Sequence, residues 1–281
     1  MKYIGVVLAA ALGLAGAAVP AAAQSRPLVT EDPETVPSGF ILLEGGLDFA
    51  DSVEAPFTGL TGNLWRLGVL GASIGVGPVA ELQVDWGLRQ RMRIETFDLD
   101  APFAPLVTTD GDDTSDAMDL RVGTKLRLAS ETASRPAIAG RFWTNLPVSG
   151  VESGLGTGAA EFHAGLAAGK TVQSVRLVVN FGLTSVDDAF ETHDRHVVID
   201  YGGSLARAVR TGMEVVGELA GRTGRDEPGA PPASTVFRFG GRMTHGPVRV
   251  DAALALGLNE VDPVWGFTVG ATWVFRAFDT P

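Results

Sequence analysis

From Ala80 to Ile94 the chain alternates. Leu82, Val84, Trp86, Leu88, Met92 and Ile94 fall on one face, and Glu81, Gln83, Asp85, Arg89, Arg91 and Arg93 on the other. A period of two over that length is a strand with one apolar and one polar face. The stretches 118–128 and 248–259 repeat the pattern. It predicts twelve strands, near 39–50, 62–74, 79–95, 116–130, 136–147, 159–170, 173–186, 194–208, 212–224, 234–244, 247–259 and 264–278. Most exceed the five or six residues usual in soluble sheets and reach the roughly 9–11 that a tilted membrane strand needs. The connections after even-numbered strands are short, and the others are mostly longer and polar, the longest running from Thr96 to Ser115. Short turns on one side, long loops on the other and an even strand count point to an all-β, transmembrane antiparallel up-and-down β-barrel of about 12 strands. Closure follows because an open edge in lipid leaves backbone groups unpaired. A soluble sandwich alternates in the same way with its apolar face inward. Strand length and loop asymmetry weigh toward the barrel.

The N-terminus adds an address. Lys2 precedes an apolar stretch from about Ile4 to Val19, which ends at Ala21-Ala22-Ala23. A positive start, a short apolar centre and small residues at the cleavage site make a secretory signal peptide. The expected organisation is a cleaved signal peptide over 1–23, a periplasmic N-terminal segment over 24–38, the barrel over 39–278 and a C-terminal tail over 279–281. The expected location is the cell outer membrane of a Gram-negative bacterium. The slightly positive mean hydropathy then reflects outward apolar faces, since no run after the leader approaches the roughly 18 residues of a spanning helix. Trp65, Trp86, Trp265 and Phe267 are expected toward the outer rim, and Phe142, Trp273 and Phe275 toward the inner one.

Several segments carry a resemblance. They are Arg26-Pro-Leu-Val-Thr-Glu-Asp-Pro-Glu-Thr-Val-Pro-Ser-Gly-Phe-Ile-Leu-Leu-Glu-Gly-Gly, Val79-Ala-Glu-Leu-Gln-Val, Asn145-Leu-Pro-Val-Ser-Gly and Gly270-Ala-Thr-Trp-Val-Phe. Together they resemble the transporter-like outer-membrane family named for the meta-pathway of phenol degradation. The resemblance implies uptake of aromatic or other small hydrophobic compounds. Outer-membrane strands usually finish on an aromatic residue; here Phe275 or Phe278 would serve as the signal to the barrel assembly machinery.

Composition and candidate chemistry narrow the function. A net charge of −11 argues against a nucleic-acid partner, and the lack of Cys excludes thiol catalysis, Cys-ligated metals and disulfides. The polar faces line the lumen and place Glu81, Asp85, Asp119, Arg121, Arg141 and His163 there. They form salt-bridge ladders or a narrow solute path. Arg89, Arg91 and Arg93 on one strand, with Arg121 on the next, are expected to form a cationic row on that path, since guanidinium forks suit carboxylates. Asp110, Asp112 and Asp113 are weak Ca²⁺ candidates in an acidic loop that lacks the spacing of a calcium site. Of His163, His193, His196 and His245, only His163 sits mid-strand and inward. No Ser is placed beside a His and no Gly-rich phosphate loop occurs, so neither a lipid hydrolase nor a cofactor enzyme is favoured. The expected function is passive uptake of a small hydrophobic or aromatic solute, the alternative a structural envelope barrel with a plugged lumen. The expected partners are outer-membrane lipid and lipopolysaccharide, and the solute itself.

Overall fold

The structure, a computed structural model, describes residues 25–109, 111–190, 194–224 and 229–279. The leader assigned to residues 1–23 lies outside the described residues. The strands are β1 (Phe40–Ala55), β2 (Leu60–Gly75), β3 (Ala80–Phe97), β4 (Asp113–Asp116), β5 (Leu120–Ala129), β6 (Ala137–Leu146), β7 (Glu161–Val172), β8 (Val175–Asp187), β9 (Arg195–Arg210), β10 (Met213–Arg222), β11 (Ser234–His245), β12 (Val248–Gly257) and β13 (Gly266–Arg276). All pairings are antiparallel, and β1 closes the ring against β13 from Phe40↔Arg276 to Ala50↔Gly266. Twelve strands make the wall. β4 pairs only with Gln90–Arg93 of β3 and extends the wall at its extracellular end. The predicted all-β barrel is therefore the observed fold, with strand ends mostly displaced by a few residues.

Closed antiparallel pairing satisfies the backbone within the wall and leaves side chains to sort by parity. Leu82, Val84, Trp86 and Leu88 face outward and are exposed, as are Val179, Phe239 and Leu254. At one end of this apolar surface Phe49, Trp65, Trp265 and Phe267 form an aromatic cluster, with Phe49 and Trp65 4.8 Å apart. At the other, Trp273 and Phe275 lie 4.3 Å apart. Such rims mark the two membrane interfaces.

One irregularity corrects the expected lumen. β2 carries a bulge against β1 where Gly46 and Leu47 pair with Val69 and Leu67, leaving Gly68 as the extra residue. Gly68 adopts φ +61°, and a Cβ there would strike the Leu88 side chain at 2.7 Å. At this level the alternation inverts. Below it Glu81 and Gln83 face the lumen; above it Gln90 and Met92 turn inward. Gln90 donates to Ser149 Oγ (3.0 Å), and Met92 packs against Leu60 and Leu64. Arg89, Arg91 and Arg93 consequently point out of the barrel. Arg91 pairs across strands with Trp65 of the outer aromatic cluster and forms an exposed ion pair with Asp113 at 3.1 Å. The cationic row assigned to the solute path is on the outside, because the bulge shifts the face that period-two counting carries through.

Two substitutions test this assignment. Leu254→Arg, on the lipid face, should destabilise the barrel by about 2–4 kcal/mol if the residue lies near the midplane, and Arg91→Leu, at the rim, should change stability by less than about 1 kcal/mol. Urea unfolding in lipid vesicles measures both.

Candidate functional site

The lumen is crossed by the chain's own N-terminal segment. Residues 25–38, expected in the periplasm, enter the barrel from the end where β1 begins. They form no ladder with the wall and are held almost entirely by side chains. Val36 N–H donates to Glu81 (2.7 Å) and Glu34 pairs with Arg127 (3.1 Å). Asp32 takes a two-pronged contact from Arg176 at 2.7 and 2.8 Å. Glu31 meets Arg141 at 2.7 Å, and its backbone exchanges two hydrogen bonds of 2.9 Å with Asn180. Val29 and Thr30 donate backbone N–H groups to Glu218. Leu28 packs on Ala206 and Val216. Arg26 ends the run, donating to Thr268 Oγ1 (2.8 Å) and Val269 O (3.0 Å), with Asp251 3.5 Å away.

These contacts absorb much of the charge on the wall. Lys125, fully buried, sits between Glu31 at 3.6 Å and Glu81 at 3.5 Å. Burial alone would raise the pKa of Glu31, but Arg141 and Lys125 outweigh it and lower the value from 4.5 to about 2. The carboxylate thus stays ionised at neutral pH and holds the segment on both cations.

The segment divides the lumen. Toward the periplasm lies a cavity of about 680 Å³ lined by Asp32, Glu34, Arg176 and Arg242. On the extracellular side lie cavities of about 530, 420 and 280 Å³. Their walls include Asp85, Asp119, Arg121, Arg141 and His163, the sequence-assigned lumen residues, with Glu81 buried nearby. Arg121 and Arg141 border both the 530 and the 280 Å³ cavities.

Trp143, on the lumen wall between Arg141 and Asn145 of β6, escaped the sequence reading; its parity with those two residues is the signal that marks it. Register places it beside His163 of β7, which in turn faces Thr184 of β8. The indole stacks on the imidazole at 4.8 Å and 5°, and the Arg121 guanidinium lies 4.3 Å from the indole centroid. An arginine–indole–imidazole stack presents polarisable and cationic surface together. It does not form a nucleophile relay. Thr184 Oγ1 and Asp200 Oδ2 both approach His163 Nδ1, at 2.9 and 3.3 Å, whereas a relay needs hydroxyl and carboxylate on different nitrogens. The other nitrogen rests over Gly165 and Gly182, where an added Cβ would meet it at 2.7 Å. His196 pairs with Asp188 at 2.6 Å in the extracellular region, and His193 lies outside the described residues.

Loops cover the extracellular mouth. Phe57, Phe103 and Phe190, from the β1–β2, β3–β4 and β8–β9 connections, meet with ring centroids 5.3–6.1 Å apart. The first and last of these connections lie across the ring from each other, so the three rings span the opening. Among the metal candidates, Asp113 pairs with Arg91, the Asp112 carbonyl accepts the Ile94 N–H (2.7 Å), and Asp110 lies outside the described residues. No group of three His, Asp or Glu among the described residues is arranged to hold a metal.

No protein-family model matches the chain, and no curated protein matches it. Among solved structures it is similar to an outer membrane channel from Pseudomonas putida F1, at 16% identity over 87% of this chain and 98% of that one, with a TM-score of 0.60. It is also similar to the translocator domain of autotransporter NalP from Neisseria meningitidis, at 12% identity over 84% and 88% of the two chains, with a TM-score of 0.47. The first likeness is one of fold. With the closed wall and apolar exterior it makes the chain an outer-membrane β-barrel.

The Glu31 contacts carry a pH signature. A carboxylate whose pKa falls on docking stabilises the docked state fully above its undocked value of 4.5, and this contribution is lost as pH falls from there toward 2. A nitroxide on Ser25→Cys, a thiol without competitors in this Cys-free chain, should give an unchanged immobilised EPR spectrum from pH 8 to 5. It should gain mobility below about pH 4, and Glu31→Gln should show that mobility at pH 7.

Proposed function

We propose that the protein is a gated outer-membrane channel for passive uptake of a small hydrophobic or aromatic solute. The observation that carries this reading is how the lumen is obstructed. The N-terminal segment adds no strand to the wall, and the phenylalanines above it belong to loops. Both obstructions can therefore leave with every ladder hydrogen bond intact, opening a path through the cavities on either side. The Arg121–Trp143–His163 stack supplies an aromatic surface along that path. The resemblance to the family named for phenol degradation favours an aromatic solute, and the balanced charge of the wall suits one carrying a hydroxyl or carboxyl group.

A structural envelope barrel with a plugged lumen is the second reading. The density of ion pairs between the segment and the wall favours it, because each must break before a path opens. Removal of residues 25–36 after the leader separates the two. A channel should fold and insert normally and raise single-channel conductance in planar bilayers at least tenfold over the full-length protein. A structural barrel should lose thermal stability and stay closed.

The stack gives a finer expectation. An aromatic contact is worth about 1 kcal/mol, which corresponds to about fivefold in occupancy. In proteoliposomes of the truncated protein, Trp143→Leu should lower phenol or benzoate flux by about that factor and leave the flux of an aliphatic alcohol of similar size unchanged.

A further inference from the structure

We infer that the outward arginines of β3 form a binding site for the phosphate groups of lipopolysaccharide in the outer leaflet. The inference rests on the exterior of the barrel and is independent of what the lumen carries. Depth comes first. Arg91 pairs with Trp65, whose ring packs with Phe49 and Phe267 in the outer aromatic rim. Arg89 pairs one step to the membrane side, beside Leu67, and Arg93 one step to the extracellular side, beside Asn63. With about 3.4 Å of rise per residue, the three Cα positions span about 14 Å along the strand. The row thus crosses the level at which lipid headgroups meet the barrel.

Charge is the second point. The chain carries a net charge of −11, yet three arginines alternate on this face without serving the lumen. Arg91 has Asp113 at 3.1 Å, with both side chains at least half exposed. Arg89 donates to Ser115 Oγ (2.8 Å), and no carboxylate is paired with it among the described residues. The Arg93 side chain has no hydrogen bond or ion pair among the described residues. Glu95, the remaining acid on this face of β3, accepts from Asn63 Nδ2 at 2.8 Å. The outward Arg195 of β9 is the contrast. It pairs with Asp187 at 2.6 Å and lies over the Phe162 ring, so its charge is met within the protein.

Chemistry names the occupant. A guanidinium at a lipid surface lacks water on one side and seeks an anion, and its planar fork matches phosphate oxygens. Basic clusters at this depth bind anionic headgroups. The outer leaflet presents them as phosphates on the glycolipid's sugar backbone. β4 widens the site, because its pairing with Gln90–Arg93 adds a second strand and sets Ser115 and Asp113 beside the arginines.

The test uses full-length protein, purified lipopolysaccharide and enzymatically dephosphorylated lipopolysaccharide, with native mass spectrometry as the readout. The R89Q/R91Q/R93Q variant should bind lipopolysaccharide at least tenfold more weakly than the unmutated protein. R195Q should bind as the unmutated protein does, and dephosphorylated glycolipid should not distinguish the variants. R93Q alone removes no side-chain hydrogen bond or ion pair among the described residues, so it keeps the test valid if the triple variant fails to fold; it should weaken binding several-fold. Equal binding of lipopolysaccharide by the unmutated protein and R93Q would overturn the assignment, as would a loss on R195Q equal to that of the triple variant. Equal binding of phosphatidylglycerol and lipopolysaccharide would overturn it too, by reducing the site to a general anionic surface. Conductance of the N-terminally truncated protein should be the same with and without the triple change, which separates this site from the channel.

Discussion

Every backbone N–H and C=O that crosses hydrocarbon must find its partner inside the wall, and the rest of this molecule depends on that requirement. Pairing β1 with β13 leaves no free edge. Once the ring is shut, each strand has one face in lipid and one in the lumen. Apolar side chains such as Leu254 and Phe239 lie outside at little penalty, and charges such as Lys125 and Glu81 are forced together inside. A buried charge is tolerated only when paired. The interior therefore assembles as a network of ion pairs rather than as an oily core.

That network explains why a peptide segment with no secondary structure can be held firmly. Residues 25–38 bring Glu31, Asp32 and Glu34 to Arg141, Arg176 and Arg127, and Arg26 to the opposite wall. The segment supplies counter-charges that the wall lacks. Its backbone N–H groups at Val29 and Thr30 satisfy Glu218 in turn. An obstruction of this kind differs from a folded core. Its attachment is electrostatic and local, so protonation, salt or a competing anion can act on it without touching the wall.

The wall itself was legible in the sequence because its rule is local. Alternation at 80–88, 118–128 and 248–259 needs only neighbouring residues, and the strands appear there. The rule breaks where a distant residue intervenes. Gly68 on β2 decides which way Arg89, Arg91 and Arg93 of β3 point, and nothing within β3 declares it except Gln90 interrupting the apolar series. The Trp143 stack is a product of register among β5, β6 and β7, which one strand's pattern does not contain. The N-terminal segment has no periodicity, and its place depends on partners from 45 to 243 residues away. Lumen residues such as Asp85, Arg121 and His163 were legible by parity alone, while their grouping around Trp143 and below the loops was not.

The segment's position also sets an order of assembly. It precedes β1, but Arg26 docks on residues 242 and 243 positions later in the chain. Asp32 and Glu31 need β8 and β6, and Arg26 needs β12 and β13. The full set of contacts therefore exists only once the last strands are in place. The stretch that leads the barrel in chain order thus meets its complete set of partners only when the final strands have been added. Full occupancy of the lumen thus requires the closed ring, because the two ends of one short peptide are held by strands from nearly opposite parts of the chain, Glu34 by β5 and Arg26 by β12 and β13.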